Sequence, residues 1–173
     1  YNANQMQSSR KDFTPHFLSF SDTSAVLKLN LDYLNWNVER LDNLSIFDGG
    51  LKYASCICIK KDRLVISGGC STSNNEPSNQ LFEINSSSVN HSIKLPPMTY
   101  KRWAHSTCFI YPHIYIIGGF EHKDMSKVQH STLKHCERYS IESKKYEGLS
   151  ALNTARAFSG VCVINDTNIF VFG

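Results

Sequence analysis

The sequence predicts an all-β protein assembled from repeated four-stranded antiparallel units. Three observations carry that reading. Three segments share one layout: "KYASCICIKKDRLVISGG" at 52–69, "RWAHSTCFIYPHIYIIGG" at 102–119 and "RAFSGVCVINDTNIFVFG" at 156–173. The apolar runs inside them are short, β-branched and aromatic, which suits strands and is too short for helices. Polar turn chemistry ("KKDR", "YPH", "INDTN") separates the runs, and no stretch carries a convincing helical period with caps.

Taken in chain order, residues 1–24 show no glycine pair and read as a degenerate or flanking segment. Residues 25–51 read as the outer half of a unit. Within them "LDYLNWNVERLDNL" (31–44) comes closest to a helical pattern and is read as a strand carrying Trp36 plus loop. The first full unit, 52–101, runs through "CICI" and "LVIS" to Gly68-Gly69, then a polar loop at 70–79, then "QLFEIN" and "HSIKL". The second, 102–155, runs through "IYII" to Gly118-Gly119, a loop at 120–135, then "CERYSIE" and "KKYEGL". Residues 156–173 hold the inner half of a third unit, ending at Gly173.

Spacing inside the units repeats as well. A basic residue opens each (Lys52, Arg102, Arg156), a small or imidazole residue sits three later (Ser55, His105, Ser159), and a cysteine six later (Cys58, Cys108, Cys162). Leu95-Met98-Arg102 and Leu149-Leu152-Arg156 share identical spacing. The glycine pairs are strand exits. A phosphate cradle needs a glycine fingerprint opening a helix, whereas loop and strand follow here. Glycine at such an exit allows a positive φ without a Cβ clash.

Four-stranded units of about 50 residues stack as propeller blades. The pattern resembles the kelch family on Gly68-Gly69, Leu95-Pro96-Pro97-Met98, Arg102 and His105. The resemblance implies a partial kelch-type β-propeller whose first strands line a central channel. It also implies protein partners on the face carrying the inter-blade and strand two-to-three loops. Propellers close with about four to eight blades, so the remaining blades are expected from more of the same chain.

Composition narrows the function. Apolar residues at 41% and charged residues at 19% describe a globular chain. A net charge of +3 without a basic run does not suggest nucleic acid, and no apolar stretch reaches the roughly 18 residues of a membrane span. Six cysteines without zinc spacing read as free thiols in a reducing compartment, with Cys58, Cys108 and Cys162 as core residues and Cys70 and Cys136 unassigned. His122, His130 and His135 beside Cys136 match no compact ligand pattern, so neither metal nor cofactor is expected. Ser159-Gly160 is not a nucleophile elbow. The resemblance admits kelch-type copper-radical oxidases and sialic-acid epimerases, but the Tyr/His/Cys copper constellation is not found, and no catalytic residue is assigned.

The expected partner-binding residues are Lys52, Arg102 and Arg156 at the channel mouth, Tyr53 and Trp103 beside them, and His122, Lys123 and Lys127 in the 120–135 loop. A ring of positive charge there would clamp acidic side chains of a peptide or surface. In the competing reading each basic residue bonds blade-to-blade backbone or a neighbouring carboxylate, and the two aromatics pack between blades. Two cellular settings fit an interaction propeller in the cytoplasm: a substrate receptor of a ubiquitin ligase, or a structural subunit of a cytoskeletal or other large assembly.

Overall fold

Alternating apolar runs need a partner on each side, and the chain supplies one by folding back on itself at every polar turn. The computed structural model describes residues 25–30, 35–40, 51–60, 62–85, 88–122 and 131–173. The expected degenerate segment 1–24 lies outside them. The architecture is all-β, a partial β-propeller. Strands β1 (Ala25–Asn30) and β2 (Asn35–Arg40) form an antiparallel hairpin with Trp36 in β2. A short pair, β3 (Leu51–Lys52) with β6 (Cys70–Ser71), flanks the first blade.

That blade is a four-stranded meander in the order β4 (Ser55–Lys60), β5 (Arg63–Ser67), β7 (Leu81–Asn85), β8 (Ser88–Leu95). The second repeats it with β9 (Ser106–Ile110), β10 (His113–Ile117), β11 (Cys136–Ser140) and β12 (Tyr146–Leu149). A third hairpin joins β13 (Gly160–Ile164) to β14 (Asn168–Phe172). The first strands are neighbours, with β9 packed between β4 and β13.

Side chains alternate across β9 as strand geometry requires. The Thr107 hydroxyl meets Ser55 of the preceding blade at 2.6 Å. Ser106 faces the other way, onto the hydroxyl of Ser159 at 3.0 Å. The main core lies between the two blades, where Val65, Leu81 and Met98 of the first pack with Ile114, Ile116 and Tyr139 of the second. Each such side chain contributes roughly 1.5–3 kcal/mol on burial, so two meanders too thin to hold a core alone stabilise one another.

Register overturns one expectation. Ser55 pairs with Ser67, Ser106 with Ile117 and Gly160 with Phe172, each partner standing just before the glycine exit. Counted from these pairs, Cys108 and Cys162 are equivalent, but their counterpart in the first blade is Ile57. Cys58 lies one place on, paired with Leu64, and its thiol donates to the Lys60 carbonyl at 2.8 Å. A bulge between Cys58 and Lys60 absorbs the extra residue. The same slip makes Leu51, not Lys52, the equivalent of Arg102 and Arg156, and Ala54, not Ser55, the equivalent of His105 and Ser159. Cys108 and Cys162 thus share one position, buried at Cys108, and Cys58 falls out of that row.

His105 occupies the seam between blades. Its Nε2 lies 2.7 Å from the Ser67 hydroxyl of the first blade. Burial, reinforced by the nearby Arg102 charge, pushes its pKa from 6.5 down to about 3. Between those values the unfolded chain binds a proton that the folded chain refuses. Stability is therefore full above pH 6.5 and falls on acidification through that window, by about 1.4 kcal/mol per pH unit. Urea midpoints at pH 7 and pH 5 are expected to converge in His105→Gln relative to the parent. An unchanged acid slope in that variant would place the titration elsewhere.

Candidate partner-binding face

The loops at the glycine end are wired identically in the two complete blades. Gly68 donates to Gln80 O, and Gly118 to His135 O. Ser78 and Leu133 donate back to Gly69 O and Gly119 O, and Met98 and Leu152 donate to Asn79 O and Lys134 O. Backbone donors thereby hold the 96–102 and 150–156 connectors against the ends of the loops that follow the glycine pairs. The shared Leu-Met-Arg and Leu-Leu-Arg spacing is the sequence trace of that wiring. These connectors and loops lie at one end of the sheets, and the tight turns at 111–112 and 141–145 lie at the other.

Arg102 stands at the centre of this wiring and is not a surface charge. Its backbone carbonyl accepts from Gly69, and its amide donates to Ser78 of the first blade. The guanidinium reaches into the second blade, donating to Gly118 O at 2.8 Å, His135 O at 3.2 Å and Glu137 Oε1 at 2.8 Å. The side chains of this ion pair are 0% and 3% exposed. Glu137 Oε2 also accepts from the Thr99 amide, and Tyr100 lies over the guanidinium, stacked in turn on His135. Burial pulls the Arg102 pKa down and Glu137 pushes it back up. The charge is thus neutralised inside the protein, which removes Arg102 from the expected mouth ring.

Arg156 repeats the arrangement, accepting from Gly119 through its carbonyl and donating its guanidinium to Gly173 O. In the first blade the register-equivalent positions of Arg102 and Glu137 are Leu51 and Phe82. Where the second blade carries a buried ion pair, the first carries apolar residues, Phe82 buried and Leu51 half-buried. Lys52 belongs to a different position: it pairs with Cys70 as Trp103 pairs with Phe120. Cys70, unassigned from sequence, is buried in the small cluster with Trp103, Ala104 and Phe120. Cys136 opens β11, opposite Ile117 and Leu149.

Four rings from three blades converge beside this wiring. Trp103 and Phe120 face each other at 4.7 Å. Tyr53 lies 5.4 Å from Trp103, and Phe158 lies 5.9 Å from Trp103, 5.8 Å from Phe120 and 5.7 Å from Tyr53. Trp103 and Phe120 are buried, and the indole donates to His122 O at 3.0 Å. Tyr53 and Phe158 are 56% and 60% exposed. Both lie two residues before their innermost strand, as Ala104 does, and all three adopt a left-handed backbone with φ of 55°, 53° and 51°. The Ala104 amide donates to Tyr53 O and the Phe158 amide to Ala104 O, a hydrogen-bonded chain across the three blades.

Of the expected surface residues, Tyr53 is therefore exposed and Trp103 is buried beneath it. The His122 side chain is exposed, and its carbonyl caps the indole. Lys123 and Lys127, with His130, lie outside the described residues. Sequence reasoning missed Phe120, Phe158 and Glu137. Phe158 was concealed by the slip, which aligned Tyr53 with Trp103 instead of with Phe158.

Residues 104–153 match the family model of the kelch motif. The match covers the strands and loops of the second blade, which is thus a kelch repeat. No curated protein matches the chain.

Proposed function

We propose that this chain, carrying a kelch repeat in a partial β-propeller, serves as a non-catalytic protein-interaction module that receives its partner on the glycine-end loops. The observation that carries the reading is the shared backbone frame beneath those loops. Identical hydrogen bonds in both blades position them, while their side chains differ freely between blades. Rigid scaffolds with variable loops are where binding concentrates. Six unpaired cysteines support a reducing compartment such as the cytoplasm.

Further blades of the same chain complete the ring in this proposal. Phe170 and Phe172 are exposed on the third hairpin, and Phe170 and Cys162 are the register equivalents of Val65 and Ile57, which pack the first blade against the second. In this proposal another blade covers those residues.

The test is capture of partners by the full-length protein with substitutions confined to one end. Lys101→Glu with Asn153→Glu alters exposed side chains at the glycine end. Glu142→Lys with Lys145→Glu alters exposed side chains at the opposite end. Loss of a defined partner in the first variant and its retention in the second is the expected result. The reverse pattern would move the interface to the short turns.

A further inference from the structure

We infer that the exposed Tyr53–Phe158 pair is a binding platform for one apolar side chain, aromatic or aliphatic, presented by an extended peptide segment of the partner. The inference rests on the glycine-end face being the binding face and specifies what that face recognises.

Backbone strain is the first support. The fold imposes φ near 50–55° at this position in all three blades. Glycine or asparagine would occupy it with less strain, and a bulky side chain is an outlier there. A polar side chain would also suit a position this exposed. The chain instead places tyrosine and phenylalanine at two of the three sites, contrary to both stability and solubility. Strained side chains that the surroundings over-determine cluster at ligand contacts.

Support from below is the second. The exposed rings rest on Trp103 and Phe120, which are 4% and 6% exposed. The indole is fixed to His122 O, and the backbones of Tyr53, Ala104 and Phe158 are tied together. Such a platform loses little freedom when a ligand seats on it, which favours affinity. Aromatic area over a closed, water-excluding base is the composition of an interface hot spot.

Chemistry favours an apolar occupant over a charged one. A cation cage needs rings held apart around an open centre, but here five ring pairs stand in mutual contact at 4.7–5.9 Å. The guanidiniums of the two connectors are committed, Arg102 to Glu137 and Arg156 to Gly173 O, and offer no bidentate clamp to an acidic anchor. Ring edges and faces remain on offer, and they complement an apolar group.

The test pans a phage-displayed random 12-residue peptide library against the full-length protein and compares Tyr53→Asn/Phe158→Asn with the parent. Enriched peptides are expected to share one obligatory aromatic or aliphatic residue. Its replacement by alanine, or use of the double variant, should weaken binding at least tenfold. The variant should meanwhile keep or raise its melting temperature, because asparagine accepts the left-handed backbone. Peptides that bind parent and variant equally but lose affinity in Lys101→Glu/Asn153→Glu overturn the platform and leave the binding face standing. Peptides whose obligatory residue is charged overturn the platform too. Absence of any binder, or binders insensitive to both variants, overturns the platform and the face together.

Discussion

Arg102→Ala is expected to destabilise the protein by about 3–5 kcal/mol, because it leaves Glu137 buried without its counter-charge. The substitution also strips donors from Gly118 O and His135 O, which hold the loop of the second blade to the connector from the first. Arg102→Leu combined with Glu137→Phe transplants the residues that the first blade carries at the register-equivalent positions, Leu51 and Phe82. The double variant is expected to recover most of the loss, since a well-packed apolar pair of this kind is often neutral against a buried ion pair. Urea midpoints of the parent, both single variants and the double variant form a cycle that measures the coupling. If the double variant is no better than the sum of the singles, the equivalence drawn from register is wrong.

Gly68→Ala is expected to cost a comparable amount. A Cβ at Gly68 would lie well inside contact distance of the Arg102 carbonyl oxygen, 2.7 Å from His105 Cε1 and 3.2 Å from Met98 Cε. Its φ of +57° adds about 1–2 kcal/mol for any side chain. Relief requires moving Arg102 O away, which breaks the 2.9 Å hydrogen bond it accepts from Gly69 and disturbs the His105–Ser67 contact. The sum should reach about 4 kcal/mol or more, the range of exceptional point mutants. Gly148→Ala in β12 is the control. Nothing lies within 4 Å of its added Cβ, and its effect should stay within about 0.5 kcal/mol. Thermal melts of the two variants decide the matter, and a mild effect at Gly68 would mean that the glycine exit can rearrange.

Much of this fold was legible because strands and turns leave local signals. The runs "LVIS" and "IYII" ending in glycine marked β5 and β10, and the Leu-Met-Arg spacing marked a connector whose backbone bonds recur in both blades. The register of the first blade was hidden for a countable reason. From the first paired residue to the glycine exit, the second hairpin is one residue shorter than the first, and the bulge at Cys58–Lys60 holds the extra residue. Spacing from Lys52 to Gly68 consequently equals that from Arg102 to Gly118 by coincidence. For Arg102 the sequence offered backbone or a carboxylate as partner without saying which carboxylate, because Glu137 stands 35 residues away. The platform was half visible: Tyr53 was identified, whereas Phe158 required the corrected register.

The carbonyl that each glycine pair seeks belongs to the next blade, Arg102 O for Gly69 and Arg156 O for Gly119. Each blade's strand exit is therefore completed only when its successor is in place. Coupling of that kind makes the free energy a sum of intrinsic and nearest-neighbour terms, as in a one-dimensional lattice of interacting units. Intrinsic terms for lone meanders are small, so the neighbour terms dominate. Unfolding should then travel as a front from blade to blade, and amide protection should be highest where a blade has a neighbour on both sides.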